Sequence, residues 1–162
     1  MNLKLDKIIA HPKVMEMCKI PYEGYPDGCP MYNTRSKCPP QQNKMYYEII
    51  DPPYFLIIQE YDLEAQMERM KKLHGNWSDK RCANSRYWQK GFDTSIKNEA
   101  IEFVKTNMRD GIILIRPEAY GVNLFATCAH NGIILKRKYP LKIVKKMVMV
   151  GRVKNSARGF FK

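Results

Sequence analysis

Uninterrupted hydrophobic runs mark where the chain is expected to form strands. The segment YFLIIQEY, residues 54–61, has an apolar centre at 55–58 with no polar residue inside it. A short run that does not alternate is typical of a strand buried on both faces. GIILIR at 111–116 predicts a second buried strand, and IVKKMVMVGRV at 143–153 alternates enough to predict a strand with its lysines outward. These segments together predict a small sheet.

Apolar residues at helical spacing fill the segments between these strands. Four helices are predicted, at about 62–74, 78–91, 94–110 and 117–131. Asp62 is a candidate N-cap of the first helix, and Gly75 follows its end. Asn131 and Gly132 have the character of a C-cap for the last one. Strands separated by helices predict an α/β or α+β fold, with a small central sheet, flanking helices and an irregular Cys/Pro/Gly-rich loop near the N-terminus.

A length of 162 residues corresponds to one domain with a core of its own. No internal repeat or low-complexity linker divides the sequence, so we expect a single domain over 1–162. The first residues, MNLKLDKIIAHPKV, mix charged with apolar positions and are unlike a signal peptide. No apolar stretch has the length needed to span a bilayer. These features predict a cytoplasmic protein without a membrane partner, in a compartment where thiols stay reduced.

The net charge of +12 is concentrated near the C-terminus. No acidic residue follows Glu118, so the part at 119–162 carries only positive charge. Its basic residues are Lys136, Arg137, Lys138, Lys142, Lys145, Lys146, Arg152, Lys154, Arg158 and Lys162. A one-sided charge of this kind suits a polyanion such as RNA, or an acidic protein partner. The alternative interpretation is the ordinary solvated face of a Lys-rich protein.

Three of the five cysteines lie in one irregular loop. The stretch CKIPYEGYPDGCPMYNTRSKCPP, residues 18–40, contains Cys18, Cys29 and Cys38 together with five prolines and two glycines. Proline and glycine fix sharp reversals, so a loop of this composition can direct several side chains at one point. Clustered cysteines in a reducing compartment more often bind metal or carry out redox chemistry than form disulfides. These three cysteines are therefore candidate metal ligands.

The cysteine spacing, C-x10-C-x8-C, bears on the kind of metal. Structural zinc sites usually take paired ligands roughly two to four residues apart, and neither gap fits that rule. Iron–sulfur clusters accept wider loops, and a proline directly after a ligand cysteine recurs in ferredoxin-type sites. Three thiolates would leave one corner of a cubane cluster for a fourth residue or for an exogenous ligand.

The sequence leaves the identity of the fourth ligand open. The candidates are Cys82, Cys128, His11, His74 and His130. We place Cys82 first, because the dipole and the basic residues of the helix predicted at 78–91 favour a thiolate there. Cys128 falls on a predicted apolar stripe, where a lone cysteine more often packs as a small hydrophobic residue. The three histidines show no metal-ligand spacing among themselves.

Two segments of the sequence resemble a known family. GCPMYNTRSKCPP, followed after a gap by an apolar strand, and RPEAYGVNLF resemble the cysteine-rich predicted metal-binding proteins of archaea and anaerobic bacteria. The resemblance implies that Cys29 and Cys38 are ligands, that Cys18 joins them, and that the bound species is an iron–sulfur cluster. Many relatives carry a second cysteine cluster before the second segment, where this chain has only Cys82.

Two classes of function are compatible with these features. The first is a metal-binding protein with a [4Fe–4S] cluster on the three-cysteine loop, acting in electron or sulfur transfer or as an accessory subunit; zinc is the alternative metal. The second is a basic RNA- or nucleic-acid-binding protein whose metal is structural. Its candidate contacts combine cationic with aromatic side chains and are Lys80, Arg81, Arg86, Trp88, Lys136, Arg137 and Lys138. The sequence has no Gly-rich phosphate loop, paired-histidine motif or nucleophile elbow, so it predicts no particular reaction.

Overall fold

The computed structural model describes residues 1–21, 25–136 and 141–161, with side chains as far as Arg158. The strands within these residues are β1 (Asn2–Leu5), β2 (Ile50–Asp62), β3 (Gly111–Leu114) and β4 (Ile143–Val153). The α-helices are α1 (Lys13–Glu16), α2 (Tyr46–Ile49), α3 (Leu63–Leu73), α4 (Asp79–Cys82), α5 (Gln89–Asn107) and α6 (Leu124–His130). The strands form an antiparallel sheet in the order β1–β2–β4–β3. The predicted mixed fold, a small central sheet with flanking helices, is confirmed.

β2 and β4 form the centre of the sheet and are buried on both faces. Ile57 pairs with Val148, and Leu56 pairs with Met149. None of these four side chains has any exposed surface. Successive residues of a strand point to opposite faces, so each pair contributes to a different core. β4 has the bounds that its hydrophobic pattern predicted, and β2 extends beyond its predicted ends.

α5 covers one face of the sheet. Its side chains Ile96 and Ala100, both fully buried, pack with Ile57, Val148 and Val150. Two residues four positions apart lie on the same side of a helix, which is why this pair meets the sheet together. Burying an Ile or Val side chain contributes roughly 1.5–3 kcal/mol. This packing, rather than intrinsic helix propensity, holds α5 in place.

The opposite face of the sheet carries a second core. Leu56 and Met149 pack there with Tyr120 and Cys128. Tyr120 ends a single turn of 3₁₀ helix at Pro117–Tyr120, and Cys128 belongs to α6. The segment RPEAYG, which contains that turn, is therefore anchored on the side of the sheet away from α5.

The continuous helix predicted at 78–91 is wrong, because the chain breaks in its middle. α4 ends at Cys82, and the Asn84 side chain then accepts a hydrogen bond from the Arg86 N–H at 2.9 Å. This bond starts a separate 3₁₀ turn. Asparagine side chains compete with helical hydrogen bonding through such local contacts. The basic residues of this segment consequently lie on a turn and its flanks instead of along one helix face.

The helix predicted to begin near 94 begins earlier, at Gln89, and passes through Gly91, which we expected to end the preceding helix. A Cβ at Gly91 would meet nothing within 4 Å, so the position faces open space. Glycine inside a helix costs about 1 kcal/mol relative to alanine. The buried side chains of Phe92 and Ile96 offset that cost, because they pack the first turns of α5 against the fold.

The ends of α3 and α6 follow the predicted capping signals. Asp62 caps α3 by accepting a hydrogen bond from the Ala65 N–H at 2.9 Å. Gly132 follows α6 with a φ of +78°, a conformation in which glycine is favoured. α6 begins only at Leu124, after the 3₁₀ turn, so the helix predicted over 117–131 is shorter than expected. In the part of the chain that the structure describes, no helix is long and apolar enough to cross a membrane.

Candidate metal site in the cysteine loop

The backbone of the cysteine loop brings Cys18 and Cys29 together. The Cys29 N–H donates a hydrogen bond to the Cys18 carbonyl oxygen at 2.7 Å. Gly28, next to this bond, has a φ of +84°, which residues with side chains rarely adopt. A Cβ at this position would also lie 2.5 Å from the Cys18 carbonyl oxygen. The close approach of the two loop segments therefore requires glycine at position 28.

A second reversal folds Cys38 back into the protein. Asn33 has a left-handed φ of +57°, and its N–H donates to the Pro39 carbonyl oxygen at 2.8 Å. Asparagine adopts this conformation more readily than most other residues with side chains. The Cys38 N–H donates to the Arg35 carbonyl oxygen at 2.9 Å, and Cys38 is only 4% exposed. The loop thus turns one of its thiols inward.

The three thiols of the loop interact electrostatically. The pKa of the Cys18 thiol is raised above its ordinary value, first by burial and then by the negative charges of Cys29 and Cys38. Glu118 raises this pKa further, whereas Arg116 lowers it. Because charge interactions weaken with distance, these five groups belong to one region of the molecule. Among the described residues, however, no three His, Cys, Asp or Glu side chains lie close enough to hold a metal ion.

Arg116 places a positive charge beside the thiols. Its Nη1 lies 3.7 Å from the Sγ of Cys38, and its guanidinium lowers the pKa of Cys18. A neighbouring positive charge favours the thiolate, which is the form of cysteine that binds metals. The residue comes from the RPEAYG segment, so this segment and the cysteine loop share one site.

A buried glutamine joins the loop to the segment that contains Arg116. Gln42 has no exposed surface, and its Nε2 donates to the carbonyl oxygens of Ala119, at 3.0 Å, and Lys44, at 2.5 Å. Its backbone N–H donates to the Cys38 carbonyl oxygen at 2.9 Å. A buried polar group left without its partner costs about 1–3 kcal/mol. These bonds therefore fix the position of Cys38 relative to the rest of the fold.

Glu118 contributes an acidic group to the same region. Its side chain is exposed, and partial loss of hydration at its carboxyl raises the pKa of that group. A backbone hydrogen bond and Arg116 act in the opposite direction. The charge of Glu118 raises the pKa of both Cys18 and Cys128. Because carboxylates also bind metals in proteins, Glu118 joins the candidates for a fourth ligand.

Three further candidate ligands make their contacts away from the loop. Cys82 is fully buried, and its Sγ lies 4.0 Å from the Trp77 carbonyl oxygen. Cys128 is also fully buried, with its Sγ 3.4 Å from the Sδ of Met147, which agrees with its prediction as a small core residue. The His74 ring stacks on Trp77 at 3.9 Å. Metal ligation by Cys82 stays a prediction that these contacts do not support.

Sequence reasoning did not assign Arg116, Gln42 or Glu118 to the site. Arg116 and Glu118 lie in the RPEAYG segment, which carried part of the family resemblance and was the available signal. Gln42 had no such signal, because nothing in the sequence distinguishes it from its neighbour Gln41. The structure separates the two: Gln42 is buried and Gln41 is exposed.

The predicted nucleic-acid contacts differ in their accessibility. Lys80, Arg81 and Arg86 are exposed. Trp88 is half-buried and stacks on Tyr61 with ring centroids 4.4 Å apart and an interplanar angle of 13°. Part of the Trp88 ring is thus engaged within the fold, and a role for it in stacking on bases stays a prediction.

Acidic side chains from the rest of the chain balance part of the C-terminal charge. Ion pairs join Lys142 to Glu64, Lys145 to Glu60, Lys146 to Asp93, Lys154 to Asp51, and Arg158 to Asp110. Lys136 is exposed, and Arg137 and Lys138 lie outside the described residues. Surface pairs contribute little to stability, about 0–1 kcal/mol each, but they reduce the net charge that a partner would meet. The excess of positive charge at 119–162 is therefore smaller in the folded protein than the sequence alone indicates.

Comparisons with protein-family models, with curated proteins and with solved structures found no match to this chain. The resemblance to cysteine-rich metal-binding proteins consequently stays a prediction from the quoted residues. The functional interpretation therefore rests on the geometry of the loop and on the charges around its thiols.

Proposed function

We propose that this protein binds a [4Fe–4S] cluster through Cys18, Cys29 and Cys38 and acts in electron or sulfur transfer, alone or as an accessory subunit. The observation that carries the proposal is the geometry of the loop, in which the Cys29 N–H donates to the Cys18 carbonyl oxygen at 2.7 Å and the Nη1 of Arg116 lies 3.7 Å from the Sγ of Cys38. The neighbouring thiolates raise the pKa of Cys18, and a bound cation would offset the repulsion among the three thiolates when it displaces their protons.

The residues around the thiols fit an anionic cluster. A cluster bound by thiolates carries negative charge, and Arg116, with its Nη1 3.7 Å from the Sγ of Cys38, supplies a positive charge beside it. Hydrogen bonds and charges at the sulfur atoms are the means by which proteins tune such clusters. The wide spacing of the cysteines favours a cluster over a single zinc ion, whose ligands usually come in close pairs.

Three protein thiolates leave one iron position for another ligand. Cys82, Glu118 or an exogenous molecule could occupy it. When bound, a cluster with such a position supplies one-electron chemistry or an iron atom that accepts a sulfur-containing or oxygen-containing ligand. The residues of the chain hold the thiols in place: Gln42 fixes the loop, and Arg116 offsets the negative charge.

Metal and acid-labile sulfide analysis of protein purified without oxygen tests the proposal. We expect about four irons and four sulfides per chain, with a visible absorption band, as for one [4Fe–4S] cluster. A Cys29→Ser, Cys38→Ser double variant should lose both, whereas Cys128→Ser, which changes a core thiol, should keep them. Circular dichroism of each variant shows whether the fold is retained. Stoichiometric zinc, or no metal in the parent protein, would contradict the iron–sulfur proposal.

The second candidate function is nucleic-acid binding with a structural metal. One observation favours it: Arg86 forms a side-chain hydrogen bond with Tyr25 of the cysteine loop. A metal that orders the loop would thereby brace the neighbouring basic segment. We expect retention on immobilised RNA to fall steeply with salt, and to weaken after the metal is removed by chelation. A protein that is not retained on RNA at low salt would exclude this function.

A further inference from the structure

The segment 69–90, which runs from the end of α3 to the start of α5, carries a dense positive charge. Its sequence, RMKKLHGNWSDKRCANSRYWQK, contains seven basic residues and one acidic residue, Asp79. Asp79 is paired with Lys71, the two charged atoms lying 2.6 Å apart. The net charge of the segment is therefore +6 from 7 − 1. Such a local excess attracts phosphate groups whatever their sequence context.

Aromatic and cationic groups form a stack within this segment. The His74 and Trp77 rings are stacked with centroids 3.9 Å apart and an interplanar angle of 12°. The Arg81 guanidinium carbon lies over the same indole, 4.1 Å from its centroid. Two groups this close to one ring centroid would collide on the same face, so Trp77 lies between them. The order of the stack is His74, Trp77, Arg81.

The two ends of the stack are at the surface. His74 and Arg81 are both exposed, whereas Trp77 between them is half-buried. Tyr87 lies beside the stack, with its ring centroid 5.1 Å from that of Trp77, and is 40% exposed. The outer faces of an imidazole and of a guanidinium are planar surfaces on which an unpaired base can continue the stack. Both end residues of the stack therefore offer exposed surface to a planar ligand.

We propose that His74, Trp77, Arg81, Arg86 and Tyr87 form a cation–aromatic surface that binds single-stranded nucleic acid. Unpaired bases stack on the ends of the stack, and the guanidinium groups contact the backbone phosphates. The combination of planar faces with local positive charge favours a single strand over a duplex, whose bases are not exposed for stacking. It also favours a nucleic acid over an acidic peptide, which offers charge but few planar groups.

This inference gives a site to the second candidate function and rests on it, but not on the identity of the metal. The surface adjoins the cysteine loop through the Arg86–Tyr25 hydrogen bond. Iron and zinc content is measured on every preparation used for binding. The metal analysis therefore tests the cluster assignment, and the binding assay tests the nucleic-acid site, independently of each other.

Fluorescence anisotropy with a labelled 12-residue oligouridylate tests the proposal on the full chain. His74→Ala removes one end of the stack, and we expect roughly 5- to 150-fold weaker binding, as for the loss of one stacked base. Arg81→Gln should weaken binding and reduce the slope of log K against log salt by about 0.7, the value for one phosphate contact on a single strand. The thermal unfolding midpoint of each variant shows whether the fold is retained.

Control variants and competitors separate stacking from charge. Arg109→Gln removes a matched exposed charge beyond the far end of α5, and Tyr47→Ala removes an exposed aromatic ring on α2; neither should change affinity by more than about twofold. The proposal predicts that oligouridylate and oligothymidylate bind better than duplex RNA or heparin. Equal binding of heparin, together with no effect of His74→Ala, would overturn it, because binding would then depend on charge alone. Absence of binding at low salt by the parent protein, with or without metal, would also overturn it.

Discussion

A single methyl group at position 28 should open the cysteine loop. In Gly28→Ala the new Cβ would lie 2.5 Å from the Cys18 carbonyl oxygen in a backbone with a φ of +84°. The left-handed conformation costs a residue with a side chain roughly 1–2 kcal/mol. Loss of the hydrogen bond between the Cys29 N–H and the Cys18 carbonyl costs about 0.5–1.5 kcal/mol more. We therefore expect the loop to close less favourably by about 2–3 kcal/mol, which corresponds to roughly 30- to 150-fold weaker metal retention.

The matched control for this change is Gly75→Ala. A Cβ at Gly75 would meet nothing within 4 Å, and the residue does not have a positive φ. Both variants are purified without oxygen, and their iron, zinc and sulfide contents are measured along with their chelator-induced metal loss. Gly28→Ala should lose metal while its sheet remains folded, since the two cores do not involve residue 28. Equal metal retention by the two variants would show that this close approach does not shape the site.

Four further predictions concern the attachment of the loop, its electrostatics and the core. Gln42→Ala should destabilise the protein by about 1–3 kcal/mol in urea unfolding, because it leaves the Ala119 carbonyl oxygen without its partner; Gln41→Ala, at the exposed neighbour, should cost less than about 0.5 kcal/mol. Burial and the neighbouring thiols raise the pKa of Cys18 above its ordinary 9.0, so the metal-free protein should lose stability as the pH rises above that value. Arg116→Gln removes a charge that lowers this pKa and should shift alkylation of Cys18 by iodoacetamide to higher pH. An unchanged pH dependence of alkylation would show that the Arg116 charge does not affect Cys18. Leu56→Ala, at a fully buried position, should cost about 2–5 kcal/mol in the same urea assay, and a cost below about 1 kcal/mol would contradict the assigned core.

Elements defined by local signals were predictable from the sequence. β4 has its predicted bounds, because its alternation and apolar centre are contained in the segment itself. α3 begins after Asp62, because an N-cap is a contact between residues three positions apart. The prediction of a helix at 78–91 was wrong, although one of the two contacts that break the helix is also local. Its helical spacing was overridden by the Asn84 side chain and by the packing of α5 against the sheet.

The candidate site was predictable in its thiols but not in its surroundings. The density of proline and glycine around Cys29 and Cys38 indicated a loop that could bring thiols together. Arg116 contributes from 78 positions further along the chain than Cys38, and no local pattern links the two. The contacts of the basic segment 69–90 were likewise not predictable from local patterns. The helix predicted at 78–91 favoured Trp88 as a stacking residue, whereas in the structure Trp88 stacks on Tyr61 and Trp77 belongs to the surface stack.

The most direct test of the metal site is the iron and acid-labile sulfide content of single cysteine variants purified without oxygen. We predict that Cys18→Ser, Cys29→Ser and Cys38→Ser each lose most of the iron and sulfide found in the parent protein. Cys128→Ser, which alters a thiol packed on Met147 in the core, should retain both. Full iron and sulfide in all three loop variants, or loss in Cys128→Ser alone, would contradict the claim that the loop thiols form one metal site.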